Sequence, residues 1–391
     1  MISLKPNQEK QILKGYPWVF ANQIRTIEGN PKRGDIVPLF THSKCPLGQG
    51  FYHDTSQIAL RLITFDTSLT INEAFFRDRL QRAHGLRSSI YGSETHYRLL
   101  FSESDGFPGT IVDRYDDVLT WTCLSYGMEL WRDNILDLLE DLYKPRAIVE
   151  RNDSWLRGKD DLPTAKGILR GSEPGSVILR ENNVEFTIDP LNGPKTGFFM
   201  DQREHRAFTA SLAKGKRVLD VCCADGGFGL QAAHQGAASV HFIDSSSPAL
   251  ERVAHNAQRN GLQDSIVLDE ADALERLGEL VKAGEQYDLV ILDPPAFAKS
   301  RRHIETATRA YQRLNISGMQ LLSKEGILAT SSCSQAIKEA DFLKTLRYAA
   351  KKSNTSLNTL YRGYQPPDHP VLDSMPETHY LKFFLFQKRW Q

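Results

Sequence analysis

From about residue 215 onward, short apolar runs alternate with amphipathic segments, and few folds accept that alternation. Strands are predicted over 217–221, 240–243, 266–268, 289–292, 327–330 and 381–386. Strands joined through helices pair in parallel, so the fold class expected is α/β: a doubly wound, Rossmann-like sheet. One intervening helix shows the quality of the signal. Ser245 to Ser247 offer an N-cap, Pro248 suits the first turn, Leu250, Val253, Ala254 and Ala257 recur at helical spacing, and Gly261 ends it.

The chain has 391 residues, too many for one ordinary core. Residues 1–70 hold short β-like runs between turn signals, predicting a small barrel. Residues 71–190 predict an α+β middle domain: a helix over 72–85, strands near 110–113 and 118–123, and a helix with Trp131, Ile135, Leu138, Leu139 and Leu142 on one face. Residues 191–391 complete the chain with the α/β domain. The 48 basic and 48 acidic side chains cancel, so a nucleic-acid partner must be held by local patches. Five cysteines (45, 123, 222, 223 and 333) form no C-x-x-C pair, which points to a reducing cytoplasm. No stretch approaches the roughly 18 apolar residues of a membrane span, and no His/Cys/Asp cluster has metal-ligand spacing. The expected protein is cytoplasmic, off the membrane and metal-free, with its oligomeric state, including a homodimer, left open.

After the first α/β strand comes Asp220-Val221-Cys222-Cys223-Ala224-Asp225-Gly226-Gly227-Phe228-Gly229, whose glycines would let the backbone approach a ligand at a helix start. Asp244, followed by Ser245, ends the second strand, where a carboxylate can accept ribose hydroxyls. Gly227-x-Gly229-x-x-Ala232 also fits the loose dinucleotide fingerprint. Three features favour S-adenosylmethionine over a nicotinamide: Asp220, placed for the ligand's ammonium; Asp272 with Ala273, placed for its adenine; and Asp293-Pro294-Pro295 after strand four.

Asp293-Pro294-Pro295 holds the backbone extended at a strand end. In amino-methylating enzymes such a tetrapeptide ends in an aromatic that stacks the target base; here Ala296 stands there and Phe297 follows. Cys333 lies forty residues on, in Thr330-Ser331-Ser332-Cys333-Ser334 after strand five. Cytosine carbon 5 is too electron-poor to take a methyl group until a thiolate adds to carbon 6, and Cys333 is placed to supply that thiolate. The alternative for Cys333 is a buried small hydrophobe, which is also the better account of Cys222 and Cys223. Basic residues follow in Lys299, Arg301, Arg302, His303, Arg309 and Arg313, with a second group at Lys195, Arg203, His205 and Arg206. Each group either holds phosphates or is a solvated helix start.

With these residues in view, the chain resembles the bacterial large-subunit ribosomal RNA methyltransferase I family, which makes 5-methylcytosine in 23S rRNA. The likeness runs through Gly15-Tyr16-Pro17-Trp18-Val19-Phe20 and Gly48-Gln49-Gly50-Phe51-Tyr52, similar to a PUA domain, and through Asp105-Gly106-Phe107-Pro108-Gly109. It is most specific in Pro194-Lys195-Thr196-Gly197-Phe198-Phe199-Met200-Asp201-Gln202-Arg203, in Asp368-His369-Pro370 and in Tyr380-Leu381-Lys382. The resemblance implies that Cys333 is the nucleophile, that Asp293 bonds cytosine or cofactor, and that Asp220, Ala224, Gly226, Gly227, Asp244, Ser245, Asp272 and Ala273 line the cofactor. Lys195, Gln202, Arg203, Pro294, Phe297, Lys299, Arg301 and Arg302 would then meet RNA. Ala224-Asp225 departs from the family's usual Tyr-Thr. Rival readings are a purine-nitrogen methyltransferase, a non-catalytic RNA-binding or assembly factor, and a nicotinamide-dependent oxidoreductase.

Overall fold

Short strands broken by glycine and proline build the N-terminal sheet: β1 (Ile2–Leu4), β2 (Trp18–Phe20), β3 (Ile24–Ile27), β4 (Ile36–Phe40), β5 (Pro46–Tyr52) and β6 (Ile58–Thr64). They pair in the order β2-β6-β5-β4-β1-β3 around a core of Ile2, Leu4, Val19, Val37, Leu39, Leu60 and Leu62. The computed structural model describes residues 1–298 and 301–389. In it the chain divides into two units, one of Met1–Val177, Ile188–Met200 and Pro367–Thr378, the other of Ile178–Thr187, Asp201–Pro366 and the residues from His379 onward.

The first unit continues with α1 (Glu73–Tyr91), capped by the Asn72 side chain, which accepts from the Phe75 N–H at 3.0 Å. The helix runs past Gly85, where a side chain would meet nothing, because Arg87 in its last turns is buried and forked onto Asp105 at 2.6 and 2.7 Å. Strands β7 (His96–Phe101), β8 (Thr110–Tyr115), β9 (Val118–Cys123), β10 (Ala147–Asn152) and β11 (Ala165–Gly171) form a sheet ordered β11-β10-β9-β8-β7. Helices α2 (Tyr126–Leu130) and α3 (Arg132–Tyr143) accompany it; Ile135, Leu138 and Leu139 are buried as their spacing requires, while Leu142 is 37% exposed. Motifs far apart in sequence meet here. Arg98 forks onto Asp113 at 2.7 and 2.9 Å, Asp113 accepts from Thr196 at 2.5 Å, and Asp368 accepts from the Arg98 N–H at 2.9 Å.

The second unit begins with most of a hairpin, β12 (Val177–Glu181) and β13 (Val184–Ile188). Residues 178–187, which the sequence places in the middle domain, fold here because Asn256 and Asn260 bond the main chain of Thr187 and Glu185 at 2.9 Å. Then come α4 (Arg203–Ala210), β14 (Arg217–Val221), α5 (Gly227–His234), β15 (Ser239–Asp244), α6 (Ser247–Arg259), β16 (Ile266–Glu270), α7 (Ala273–Lys282) and β17 (Tyr287–Leu292). The unit ends with α8 (Ile304–Gln320), β18 (Leu322–Ser332), α9 (Glu339–Lys352), β19 (Leu357–Gly363) and β20 (Lys382–Lys388).

Its sheet is ordered β16-β15-β14-β17-β18-β20-β19, the first five strands parallel and β20 antiparallel to both neighbours. The six predicted strands are all present. The one missed, β19, is an edge strand with no buried residue, so it carries no apolar alternation to read. The reversal of order on either side of β14 and β17 opens a crevice at their C-terminal ends, the place where such sheets take ligands. No helix of the described residues is long and apolar enough to cross a membrane.

Candidate active site

The turn after β14 is tightly wound. Cys222, Ala224 and Gly226 all have positive φ, at 61, 50 and 76°. Two of these are not glycine, so the surroundings must hold the conformation. They do: the Cys222 N–H donates to the Ile243 carbonyl at 2.8 Å, Gly226 N–H to the Cys223 carbonyl at 2.8 Å, and Ala224 N–H to Asp244 Oδ2 at 3.1 Å. A Cβ on Gly229 would lie 2.3 Å from the Phe242 ring, and one on Gly227 2.9 Å from Arg206 Cδ. Gly227 and Gly229 therefore allow close packing of α5 against Arg206 and the sheet.

Arg206 in turn forks onto buried Glu181 at 2.6 and 2.7 Å, and Arg203 Nε lies 3.6 Å from the same carboxylate. Burial works against charge on Glu181, but Arg206, Arg203 and Gln231 together hold it below its ordinary value. Arg203, expected at RNA phosphates, is thus turned into this buried ion pair.

Three carboxylates follow successive strands. Asp220 on β14 is buried; its Oδ2 accepts from the Gly229 N–H at 2.8 Å, and its Oδ1 has no hydrogen-bond partner among the described residues. Burial pushes its acid up to about 7. Asp244 ends β15, accepting one backbone N–H on each oxygen, from Ala224 at 3.1 Å and Ser246 at 3.0 Å, which leaves lone pairs for hydroxyls. Ser245 beside it is exposed. Asp272 caps α7, its Oδ1 accepting from Leu274 and Glu275 N–H at 2.9 and 3.0 Å, with Ala273 as the first helical residue. An orphaned buried carboxylate oxygen is costly until a cation meets it, and the ammonium of S-adenosylmethionine is such a cation. The donor set fits that cofactor.

Cys333 lies just beyond β18, beside the turn that ends β17. The serines on either side face the buried Tyr311 of α8: Ser332 Oγ donates to its hydroxyl at 2.9 Å, and Ser334 Oγ lies 3.0 Å from it while accepting from the Ala298 N–H at 3.1 Å. Burial pushes the Tyr311 hydroxyl up to about 12, so it stays neutral. With both flanks held, the half-buried Cys333 sulfur faces the Asp293-Pro294 turn, 4.0 Å from the Pro294 carbonyl oxygen. The other cysteines differ. Burial pushes the Cys222 and Cys223 thiols far up and that of Cys123 to about 12, and Cys45 is exposed on β5's approach, remote in sequence from these strands.

Asp293 is held from two sides: Ser331 Oγ donates to its Oδ1, and Gln202 Nε2 donates to the same oxygen at 2.8 Å. Gln202 is itself oriented by His205, whose Nδ1 lies 2.6 Å from Gln202 Oε1. Burial lowers His205 to about 3, and its ring stacks on Phe383 at 4.3 Å, so a neutral Nδ1–H donates to the amide oxygen and leaves the NH2 aimed at Asp293. The structure thus makes Gln202, expected at RNA, a buried support of Asp293. Substituting Gln202→Leu removes a bond that orients Asp293, and a drop of roughly tenfold in single-turnover rate at saturating RNA is expected, from about 1.4 kcal/mol lost. An unchanged rate would show that Asp293 needs no such support.

Pro294 is buried, and Phe297 packs on Tyr311 with ring centroids 4.8 Å apart, so its ring is tied into the core rather than held out to stack a base. Arg302 is exposed ahead of α8. Lys299 and the Arg301 side chain lie outside the described residues. Lys195 belongs to the first unit, its Nζ 4.2 Å from the Phe199 ring centroid. Sequence reasoning missed Tyr311, His205 as a tautomer-setting group, and Ser331. Their signal was faint, being polar residues on otherwise buried faces.

A PUA-like domain model matches residues 2–65, and an S-adenosylmethionine-dependent methyltransferase model matches residues 162–387. Ribosomal RNA large subunit methyltransferase I of Shewanella denitrificans is 40% identical over 386 residues, 97% of each chain. The chain belongs to the ribosomal RNA large subunit methyltransferase I family. The enzyme of that name from Photobacterium profundum is 38% identical over 388 residues, 98% of each chain. The fold of this methyltransferase I family member also matches a solved structure from Streptococcus mutans, assigned as a SAM-dependent methyltransferase, with a TM-score of 0.84 at 22% identity, over 99% of this chain and 100% of that one. A second match, to a methyltransferase complexed with SAH, has a TM-score of 0.86 at 22% identity over the same shares. S-adenosylmethionine is therefore the cofactor, and the PUA-like and methyltransferase assignments made from sequence hold.

Proposed function

We propose that this methyltransferase forms 5-methylcytosine in large-subunit ribosomal RNA, in the cytoplasm, with Cys333 as the attacking nucleophile. The observation that carries the reading is the placement of Cys333: a half-buried sulfur beside the Asp293-Pro294 turn, while the neighbouring Cys222 and Cys223 thiols are pushed up by burial. When bound, S-adenosylmethionine supplies an electrophilic methyl group, with Asp220 toward its ammonium, Asp244 toward its ribose and Asp272 toward its adenine.

The chain's own residues make the cytosine reactive. The Cys333 thiolate adds to carbon 6, the electrons of the 5,6 double bond move to carbon 5, and carbon 5 becomes an enamine carbon able to take the methyl group. A base, water or Asp293, then takes the carbon-5 proton, which restores the double bond and expels the thiolate. Asp293, fixed by Gln202 and Ser331, is placed to accept from the cytosine or cofactor amine. The ring must leave its stack to enter, which favours a loop or unpaired cytosine. A purine-nitrogen reading would want a free aromatic after the proline turn, and Phe297 is packed.

The test is methyl transfer from labelled cofactor to large-subunit rRNA, followed by mapping of the modified position. One cytosine carrying the label at carbon 5 is the expected product; label on a purine, or none, would sink the proposal. Arg302 and Lys195 are proposed phosphate contacts. Arg302→Glu is expected to weaken RNA binding severalfold at low salt and to reduce the salt dependence by about one counterion, measured by filter binding.

A further inference from the structure

Lys382 opens β20 and is the register partner of Ser332, the residue before Cys333. Its side chain is buried, at 3% exposure, and Nζ donates to the carbonyl oxygens of Ser334 at 2.7 Å and Tyr380 at 2.8 Å. The ammonium is therefore fixed against the backbone immediately after the thiol. Carbonyl dipoles alone are poor company for a buried cation. Among the described residues the one carboxylate that acts on it is Glu339 of α9, and Glu339 is already paired with Arg362 of β19. Burial works against the ammonium, while negative charge on Cys333 and on Glu339 favours it.

We infer that Lys382 is a positioning residue for the reaction, its ammonium being the buried counter-charge that favours the Cys333 thiolate over the thiol. The inference rests on the reading of Cys333 as nucleophile. Several described groups near the sulfur do not help it ionise. Asp293 and the Pro294 carbonyl on the β17 side oppose negative charge, Tyr311 on α8 is neutral, and the Tyr380 hydroxyl is engaged with Asp201 at 2.7 Å. Burial lowers Lys382 to about 8, which still leaves it mostly charged at neutral pH. A nearby opposite charge typically lowers an acid by one or more pH units.

The test reads Cys333 directly. The full-length protein, without RNA or cofactor, is alkylated with iodoacetamide across pH 6 to 10, and modification of the Cys333 peptide is followed by mass spectrometry. In Lys382→Met the alkylation midpoint of Cys333 is expected to rise by about one pH unit or more, so that alkylation at pH 7 falls about tenfold, and Lys382→Arg is expected to restore the wild-type midpoint. Should Lys382→Met fail to fold, Lys382→Gln keeps donors for both carbonyls without the charge and is read the same way. A midpoint unmoved in the folded charge-free variant overturns the inference. A companion measurement separates it from the reading beneath it. If Cys333→Ala retains methyl transfer, the nucleophile reading fails whatever the midpoint does; if that variant is inactive while the midpoint is unmoved, the Lys382 pairing alone fails.

Discussion

Cys333→Ala is expected to lose all covalent capture of RNA containing 5-azacytosine and to slow methyl transfer roughly 10⁴-fold or more. In 5-azacytosine the position to be methylated is a nitrogen with no proton to lose, so an enzyme that has added its thiolate to carbon 6 cannot expel it. Wild-type protein should give a band stable to denaturation that carries both protein and RNA; the variant should give none. The size of the loss follows from the chemistry. Without the adduct the ring offers no enamine carbon, and no other described group near the turn can replace the sulfur, since Ser332 and Ser334 are engaged with Tyr311 and the neighbouring thiols are held protonated. Binding of cofactor and RNA should survive, because alanine fills a half-buried site without disturbing the serine clamp. Full activity in Cys333→Ala would leave Cys333 as packing.

Asp220→Asn is expected to weaken S-adenosylmethionine binding by about 10²-fold while making the cofactor-free protein harder to melt at pH 8. Both effects come from one buried carboxylate. Burial raises the acid from 3.8 to about 7 in the fold, so the folded chain holds the proton more tightly than the unfolded one. What this group contributes to stability is complete below about pH 4 and is lost as pH rises through 7, where the carboxylate must ionise with its Oδ1 orphaned. Asparagine keeps an acceptor for the Gly229 N–H and never ionises, so it removes that loss. It also removes the anion that meets the ligand's ammonium, a charge-assisted bond worth about 1.5–3 kcal/mol. Calorimetry across pH gives the signature: wild-type affinity should fall up to about tenfold per unit below pH 7, with a proton released on binding, and the variant should show neither. Equal affinity in the two proteins would remove Asp220 from the cofactor site.

The α/β alternation, the strand ends carrying Asp220, Asp244 and Asp293, and the isolated Cys333 could all be read from local pattern, because each rests on periodicity or on a turn residue next to an apolar run. β19 could not, since an edge strand is held by main-chain bonds that leave no mark on side-chain pattern. Gln202 and Arg203 read as partners for RNA because polar residues in a connector are usually solvated. In the fold Gln202 is buried against Asp293 and Arg203 lies beside the Glu181 carboxylate.

By itself the sequence determined the alternation of the six predicted strands with helices, the family and the cofactor, and marked Cys333 as the candidate nucleophile, since these depend on neighbours a few residues apart. Only the tertiary structure decided what surrounds that sulfur. Tyr311, His205 and Lys382 come from a helix before β18, a helix before β14 and the last strand. Their roles depend on burial and on through-space charge, quantities that exist only once distant segments have packed and excluded water.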